Sequence, residues 1–286
     1  MTDIHASSLI SDATLPTGAV STVMAALRAV LFLTITIVAM IAVAPLVMVG
    51  IETAPIRRFY FRVIAKVLGF RILVRGAPAS ARPLLLVSNH VSYLDVLAIG
   101  TVAKGEFISR ADVADWPLFG WMAKAARTVF IDRRRSATSD ARDQIQDRLN
   151  HGGTLIMFPE STSGDGNRVL PFKSALFTVA EKTVAGQPVT VQPVSIAYTR
   201  LNGLPIGFGW RAFYAWYGDM TLAPHLWQVL KLGQTTVEIV FHEAFRADQF
   251  EGRKALAAHC EQVAGRGFAQ LLAGRGSQSL LPPPRS

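Results

Sequence analysis

Leu84-Leu85-Leu86-Val87-Ser88-Asn89-His90-Val91-Ser92-Tyr93-Leu94-Asp95 changes character in its middle. Its first five residues form a short, almost wholly apolar run, the pattern of a strand buried on both faces. A helical pattern then opens at Leu94 and runs to Val102. The polar residues between them mark a passage from strand to helix, and the same alternation recurs along the chain. Strands are expected at Arg71–Val74, Leu84–Ser88, Glu106–Ser109, Thr128–Ile131, Thr154–Phe158, Val189–Ala197, Arg211–Trp216 and Thr236–Phe241. Helices are expected at Leu94–Val102, Leu118–Ala126, Ser139–His151, Ser174–Val184, Leu222–Leu232 and Arg253–Leu272, with Gly152 and Gly153 at a helix C-terminus. Such alternation predicts an α/β fold with a partly parallel central sheet flanked by helices. In such sheets ligands bind where strands end and loops begin.

Upstream lies a different kind of sequence. Ala29 to Ile51 carries no charged side chain and, as a helix, would be roughly 35 Å long, against a bilayer core of about 30 Å. An N-terminal hydrophobic membrane helix is therefore predicted, with Pro45 as a kink. A core helix or a cleaved signal peptide are the alternatives. The run is long for a signal peptide, and Asp3 and Asp12 precede it with only Arg28 as a flanking cation. Arg57, Arg58, Arg62 and Lys66 follow it, so the positive-inside rule places the rest of the chain in the cytoplasm, on the inner (cytoplasmic) membrane. Pro55–Phe70 mixes these cations with aromatic and β-branched residues, a pattern suited to the headgroup layer. The chain divides into a polar tail over residues 1–21, membrane-anchoring helices over 22–70, a main domain over 71–273 and a disordered tail over 274–286.

The 286 residues are 50% hydrophobic and carry a net charge of +9, which favours anionic partners. A C2H2 pattern, an RNP-like motif and Gly-rich basic tails are absent, which argues against nucleic acid. Cys260 is the single cysteine and has no partner for an intramolecular disulfide or a thiolate metal site.

Four stretches carry chemistry. In the first, His90 needs an acceptor on one ring nitrogen if the other is to take a proton from a hydroxyl, and Asp95 can supply it. Five residues apart on a regular helix they would diverge, so the pairing requires the turn before Leu94. A capping Asp95 beside an unrelated His90 is the plainer reading. In the second, Leu155 to Gly166, a buried strand runs through Pro159 into a loop of small polar residues, including Glu160, Ser161 and Thr162. Backbone donors in such a loop can hold phosphate-like oxygens. The third, Thr128 to Arg133, brings a guanidinium to a strand end, where its fork suits phosphate or carboxylate. The fourth, Val191-Gln192-Pro193-Val194, reads as the wall of a core or pocket. No Gly-x-Ser-x-Gly elbow occurs, which disfavours a serine hydrolase.

In this order the four blocks resemble the PlsC-type glycerolipid acyltransferases, the 1-acylglycerol-3-phosphate acyltransferases and their relatives. That family carries Asn-His-x-Ser-x-x-Asp, Phe-x-x-Arg, Phe-Pro-Glu-Gly-Thr and Val-x-Pro-Val. Here they read Asn89 to Asp95, Phe130 to Arg133, Phe158 to Thr162 and Val191 to Val194. The resemblance implies a lysophospholipid O-acyltransferase with a glycerolipid acyltransferase-like fold. His90 would be the general base and Asp95 its orienting partner; the acceptor alkoxide would attack a thioester directly. Arg133, Glu160, Ser161 and Thr162 would form the acceptor site, with Asn89, Ser92, Lys173 and Pro193 as further pocket residues. Val191–Val194 would shape the acyl-donor or acyl-chain region. The implied partners are acyl carrier protein or acyl-CoA as donor, a lysolipid acceptor and membrane lipids, with no metal and no organic cofactor. One departure is Ser161, where the family has Gly. Gly permits φ > 0 and close backbone approach, so the acceptor loop would sit differently.

Asp165–Phe177 and Phe213–Met220 are similar to a bacterial branch that includes lyso-ornithine lipid O-acyltransferases. Lysophosphatidate stands first as the family default acceptor, with lyso-ornithine lipid behind it. An inactive membrane-anchored scaffold and a lipid esterase are the alternatives of another class.

Overall fold

The computed structural model describes residues 21–275, apart from 52, 117–118, 132–138, 182 and 185. Helix α1 (Thr22–Met48) is the apolar segment, N-capped by Ser21, whose side chain accepts from Met24 N; Pro45 lies within it. Helix α2 (Ala54–Val67) follows. The remaining elements alternate: β1 (Phe70–Arg75), β2 (Leu84–Ser88), α3 (Leu94–Val102), β3 (Glu106–Arg110), α4 (Phe119–Ala125), β4 (Val129–Ile131), α5 (Ser139–Asn150) and β5 (Thr154–Met157). Then come β6 (Thr190–Leu201), β7 (Leu204–Pro205), α6 (Leu222–Lys231), β8 (Thr235–Phe241), β9 (Phe245–Arg246) and α7 (Arg253–Leu272).

The strands form one mixed sheet in the order β1-β8-β6-β2-β5-β3-β4, with β7 and β9 pairing to β6. From β6 to β4 every neighbour on this path is parallel, and β1 is parallel to β8. The β6–β8 pairing is antiparallel and joins the two parallel groups. Leu84 and Leu86 of β2 enter one core, while Leu85 and Val87 enter the other. This is the two-residue period of a strand covered on both faces, which is why its sequence reads as uninterrupted apolar. The first core lies against α2, α3 and α6 and includes Ala25 and Phe32 of α1. The second lies against α5 and α7 and includes Ile145, Leu149, Leu256 and the free, buried Cys260.

Two expected elements take other forms. Arg211–Trp216 is not a strand: Phe208–Phe213 is a 3-10 turn, and Phe213, Tyr214 and Ala215 are buried in succession rather than alternately. Ser174–Val184 is a 3-10 turn over Ser174–Ala180, not an α-helix; the β-branched Thr178 and Val179 favour α-helix less than straight-chain residues do. Gly152 does end α5, with φ +70 and Gly153 N donating to Arg148 O.

Three cations of α2 bond carbonyls of the protein body. Arg58 and Arg62 donate to Thr101 O at the C-terminus of α3, and Arg57 donates to Gly105 O and Ala126 O. They satisfy carbonyls that a helix end and its following loop leave open, where a positive charge is also favoured by the helix dipole. Arg62 and Lys66 remain exposed. Helix α1 is held to the same body. Arg28 donates to Leu230 O and Leu232 O at the end of α6, and Thr36 Oγ1 bonds Tyr60 Oη at 2.9 Å.

Candidate active site

Strand β2 delivers the first motif to the edge of a pocket. Just past its end, Asn89 turns its carboxamide onto the neighbouring strand: Oδ1 accepts Ile196 N at 2.9 Å and Nδ2 donates to Ile196 O at 3.0 Å. The side chain thus replaces a peptide group in the ladder, and the main chain is released to turn at His90. The turn is closed by Asp95 in the first turn of α3. Its Oδ2 accepts Val91 N at 2.7 Å and Ser92 N at 2.9 Å and lies 3.0 Å from His90 Nδ1. Ser92 Oγ in turn accepts Leu94 N. One carboxylate thus caps the helix and holds the His90 ring at the same time.

Asp95 is fully buried and its second oxygen is also engaged, by Tyr198 Oη at 2.8 Å. Burial first, then the charge of Asp95, pushes the Tyr198 phenol well above its ordinary range, so it remains a donor. The His90 side chain is about one-fifth exposed and lines the pocket, with its ring stacked on Phe158 at 4.2 Å. Once Nδ1–H is committed to Asp95, Nε2 carries the lone pair. The arrangement orients the ring so that Nε2 is available to accept a proton.

The loop after β5 supports this pair from behind. Glu160 is 2% exposed; Oε1 accepts His90 N at 2.7 Å and Oε2 accepts Leu170 N at 2.9 Å. Burial pushes its pKa up to about 8, against the downward pull of those two N–H donors. Ser161 adopts φ +61, the left-handed region that its family glycine would enter freely. Ser161 and Thr162 line the pocket. Gly164 N donates to His90 O at 3.2 Å, and Ser163 Oγ donates to Trp216 O. Lys173 is exposed; its backbone N donates to Pro159 O, and its side chain is not among the pocket walls.

The pocket has a volume of about 260 Å³. A second, mainly apolar cavity of about 170 Å³ lies toward α1, α2 and α4, walled by Phe32, Met40, Val43, Tyr60, Phe119 and Met122. Tyr93, Val96, Phe107, Ser109, Val113 and Trp116 line both spaces, so the two adjoin. Tyr93 is fixed at this junction by a 3.1 Å bond between its Oη and His225 Nδ1. Burial drives the His225 pKa down to about 4, which keeps that ring neutral near pH 7.

Comparison with known proteins assigns the family. Residues 71–197 match the family model described as Acyltransferase. A lyso-ornithine lipid O-acyltransferase from Brucella abortus is 42% identical over 221 residues, covering 76% of this chain and 83% of the relative. This chain belongs to the PlsC-type acyltransferase family. A second lyso-ornithine lipid O-acyltransferase, from Rhizobium meliloti, is 38% identical over 76% of each chain. A 1-acyl-sn-glycerol-3-phosphate acyltransferase from Neisseria gonorrhoeae is 31% identical over 66% of this chain and 70% of the relative. The solved structure of PlsC from Thermotoga maritima shares the fold at a TM-score of 0.54 and 22% identity, covering 86% of this chain and 98% of that one.

For this acyltransferase, the structure brings together His90, Asp95, Asn89, Ser92, Glu160, Ser161 and Thr162. Arg133 lies outside the described residues. Pro193 is buried in β6 opposite Val87, and Val191–Val194 form sheet core rather than a wall of either cavity. The apolar cavity that adjoins the pocket is walled by α1 and α2 together with α3, β3 and α4. Sequence reasoning missed Tyr198, Phe158 as a stacking partner and Arg110. Arg110 lines the pocket one strand from β4 and holds Asp112 through two bonds of 2.8 and 2.6 Å. An arginine at a strand end was the available signal for it, the same signal that singled out Arg133.

Proposed function

We propose that this acyltransferase acylates the free hydroxyl of lyso-ornithine lipid, using His90 as general base. The observation that carries the chemistry is the His90–Asp95 pair at 3.0 Å on the wall of a pocket that adjoins an apolar cavity. In this reading His90 Nε2 accepts the hydroxyl proton as the oxygen attacks the thioester carbonyl. The tetrahedral intermediate collapses, the carbon–sulfur bond breaks, and the departing thiolate takes the proton from the imidazolium. Acyl carrier protein or acyl-CoA supplies the thioester. An acyl chain occupies the cavity between α1, α2 and α4. Asp95 orients the imidazole, and Glu160 acts by holding the His90 and Leu170 backbones rather than by touching the acceptor.

Similarity reverses the order of acceptors expected from sequence: relatives named for lyso-ornithine lipid reach 42% identity, against 31% for those named for 1-acylglycerol-3-phosphate. The chemistry of the pocket edge supports the same choice. An ornithine headgroup offers a carboxylate and an amine, and lysophosphatidate only a phosphate. Arg110 lines the pocket and is paired with Asp112, so both signs of charge stand at its edge. Helices over 22–70 would anchor the domain over 71–273 to the inner membrane with the pocket on the cytoplasmic side. Helix α1, at 27 residues or about 40 Å, is long enough to cross a bilayer core.

The test offers lyso-ornithine lipid and lysophosphatidate side by side to membranes carrying wild type or His90→Ala, with labelled acyl carrier protein or acyl-CoA. Labelled ornithine lipid from wild type alone is the expected result. Preferential labelling of lysophosphatidate overturns the acceptor, and release of free fatty acid without transfer points to an esterase.

A further inference from the structure

The far oxygen of Asp95 raises a question that the His90 pair does not answer. Oδ2 has three donors, from His90 Nδ1, Val91 N and Ser92 N. Oδ1 faces the interior, in a side chain with no exposed surface, and an unsatisfied buried carboxylate oxygen is costly. Tyr198 Oη meets it at 2.8 Å, from a residue 103 positions later in the chain.

The phenol is held rigidly. Its ring stacks on Tyr214 at 5.0 Å with 8° between the planes, and Phe70 meets it edge-on at 6.0 Å. Tyr214 is itself pinned by a 2.9 Å bond between its Oη and Thr235 Oγ1. A ring fixed on both sides presents its hydroxyl in one place, and that place fixes the plane of the Asp95 carboxylate. The carboxylate plane in turn decides where the His90 Nδ1–H points, and so where Nε2 lies in the pocket.

We propose that Tyr198 is a positioning residue of the acyl-transfer site, whose phenolic O–H fixes Asp95 and sets the strength with which Asp95 holds protonated His90. This rests on the reading of His90 as the base. With the phenol present, part of the Asp95 charge is committed to Tyr198. With it removed, Oδ1 is left unsolvated, the carboxylate grips the imidazolium more tightly, and free imidazole is available only at higher pH. The ionisable groups bearing on this cluster are Asp95 and His90 themselves, Glu160 behind His90, Glu261 beyond Glu160, and the phenols Tyr93 and Tyr214.

The experiment measures kcat and KM against pH in membranes for wild type, Tyr198→Phe, His90→Ala and a protein carrying 3-fluorotyrosine at position 198. Tyr198→Phe is expected to lower kcat roughly ten- to hundredfold, the scale of one hydrogen bond to a buried charge, with little change in KM. It also moves the acidic limb of the kcat/KM profile to higher pH. Fluorotyrosine keeps the ring and donates more strongly, so it moves that limb to lower pH; it also serves should the phenylalanine variant fail to fold. A role in packing alone would leave the limb in place. A wild-type limb in the fluorotyrosine protein, or in folded Tyr198→Phe, overturns the proposal while His90→Ala remains inactive. Activity retained by His90→Ala overturns the base assignment itself.

Discussion

At the pocket end of the sheet Asn89, Ser92, Asp95 and Glu160 are polar yet almost fully buried, whereas along α1 Val23, Leu27, Val38 and Ile41 are apolar yet more than half exposed. Each region departs from the ordinary rule of apolar inside and polar outside, and each departure has its own compensation. The buried polar groups are bonded: Asp95 takes four donors and Glu160 two. The exposed apolar groups have no such local remedy. An apolar face along a 27-residue helix belongs in a solvent other than water. The two regions meet at Tyr93 and Phe107, which wall both the pocket and the apolar cavity. That junction would suit the proposed thioester donor, with its long apolar chain and reacting polar end.

The contrast can be broken from the helix side first. Val38→Lys with Ile41→Lys places two charges on a face that the protein body does not cover, at a cost of about 2.5–3.5 kcal/mol each within a bilayer. The double variant is expected to leave the membrane pellet in a flotation assay while keeping its fold by circular dichroism; full retention in the pellet would show that α1 does not carry the anchoring.

From the pocket side, His90→Ala and Asp95→Asn are each expected to reduce transfer by about 10²–10⁴-fold. Neither should abolish the cooperative unfolding transition, and near-normal turnover in either would remove the base mechanism.

Glu160→Gln sharpens the comparison by testing whether burial is compensated at the second carboxylate. The amide turns an N–H₂ toward one of the two backbone donors, for a loss of about 1–3 kcal/mol in urea unfolding in micelles. Because the folded-state pKa is raised from 4.5 to about 8, native protein binds this proton more tightly than the unfolded chain between those values. Wild-type stability from this group therefore falls as pH rises through that window. The gap between wild type and Glu160→Gln should accordingly be wider at pH 5 than at pH 8.

The smallest effect is at Ser161, where φ is +61. Ser161→Gly is expected to stabilise the fold by about 1 kcal/mol, read as a shift in the denaturation midpoint. A loss of stability would mean that the serine hydroxyl contributes more than its backbone conformation costs.

Local chemistry wrote much of this molecule into its sequence. The Leu84–Ser88 strand, the Leu94–Val102 helix and the Arg253–Leu272 helix lie where their patterns put them. Apolar runs, helical spacing and turn residues are properties of neighbours in the chain, so the turn from His90 to Asp95 was legible too. Arg211–Trp216 failed because aromatic alternation reports burial, and a 3-10 turn with buried rings produces the same letters.

What the sequence could not decide are the contacts that depend on which distant element arrives. The Glu160 carboxylate reads as an acceptor-site residue until β5 is laid beside β2, which turns it onto His90 N. Tyr198 is one more residue of a buried strand until β6 pairs on the other side of β2 and brings its hydroxyl to Asp95. Arg58 and Arg62 read from composition as surface cations, and only packing shows that α3 ends beside them and offers its open carbonyls. Local sequence determined the strands, helices and turn that make a base possible. Packing between elements far apart in the chain decided which polar groups were buried together, because a buried charge accepts only the partners that the fold can bring within hydrogen-bond reach.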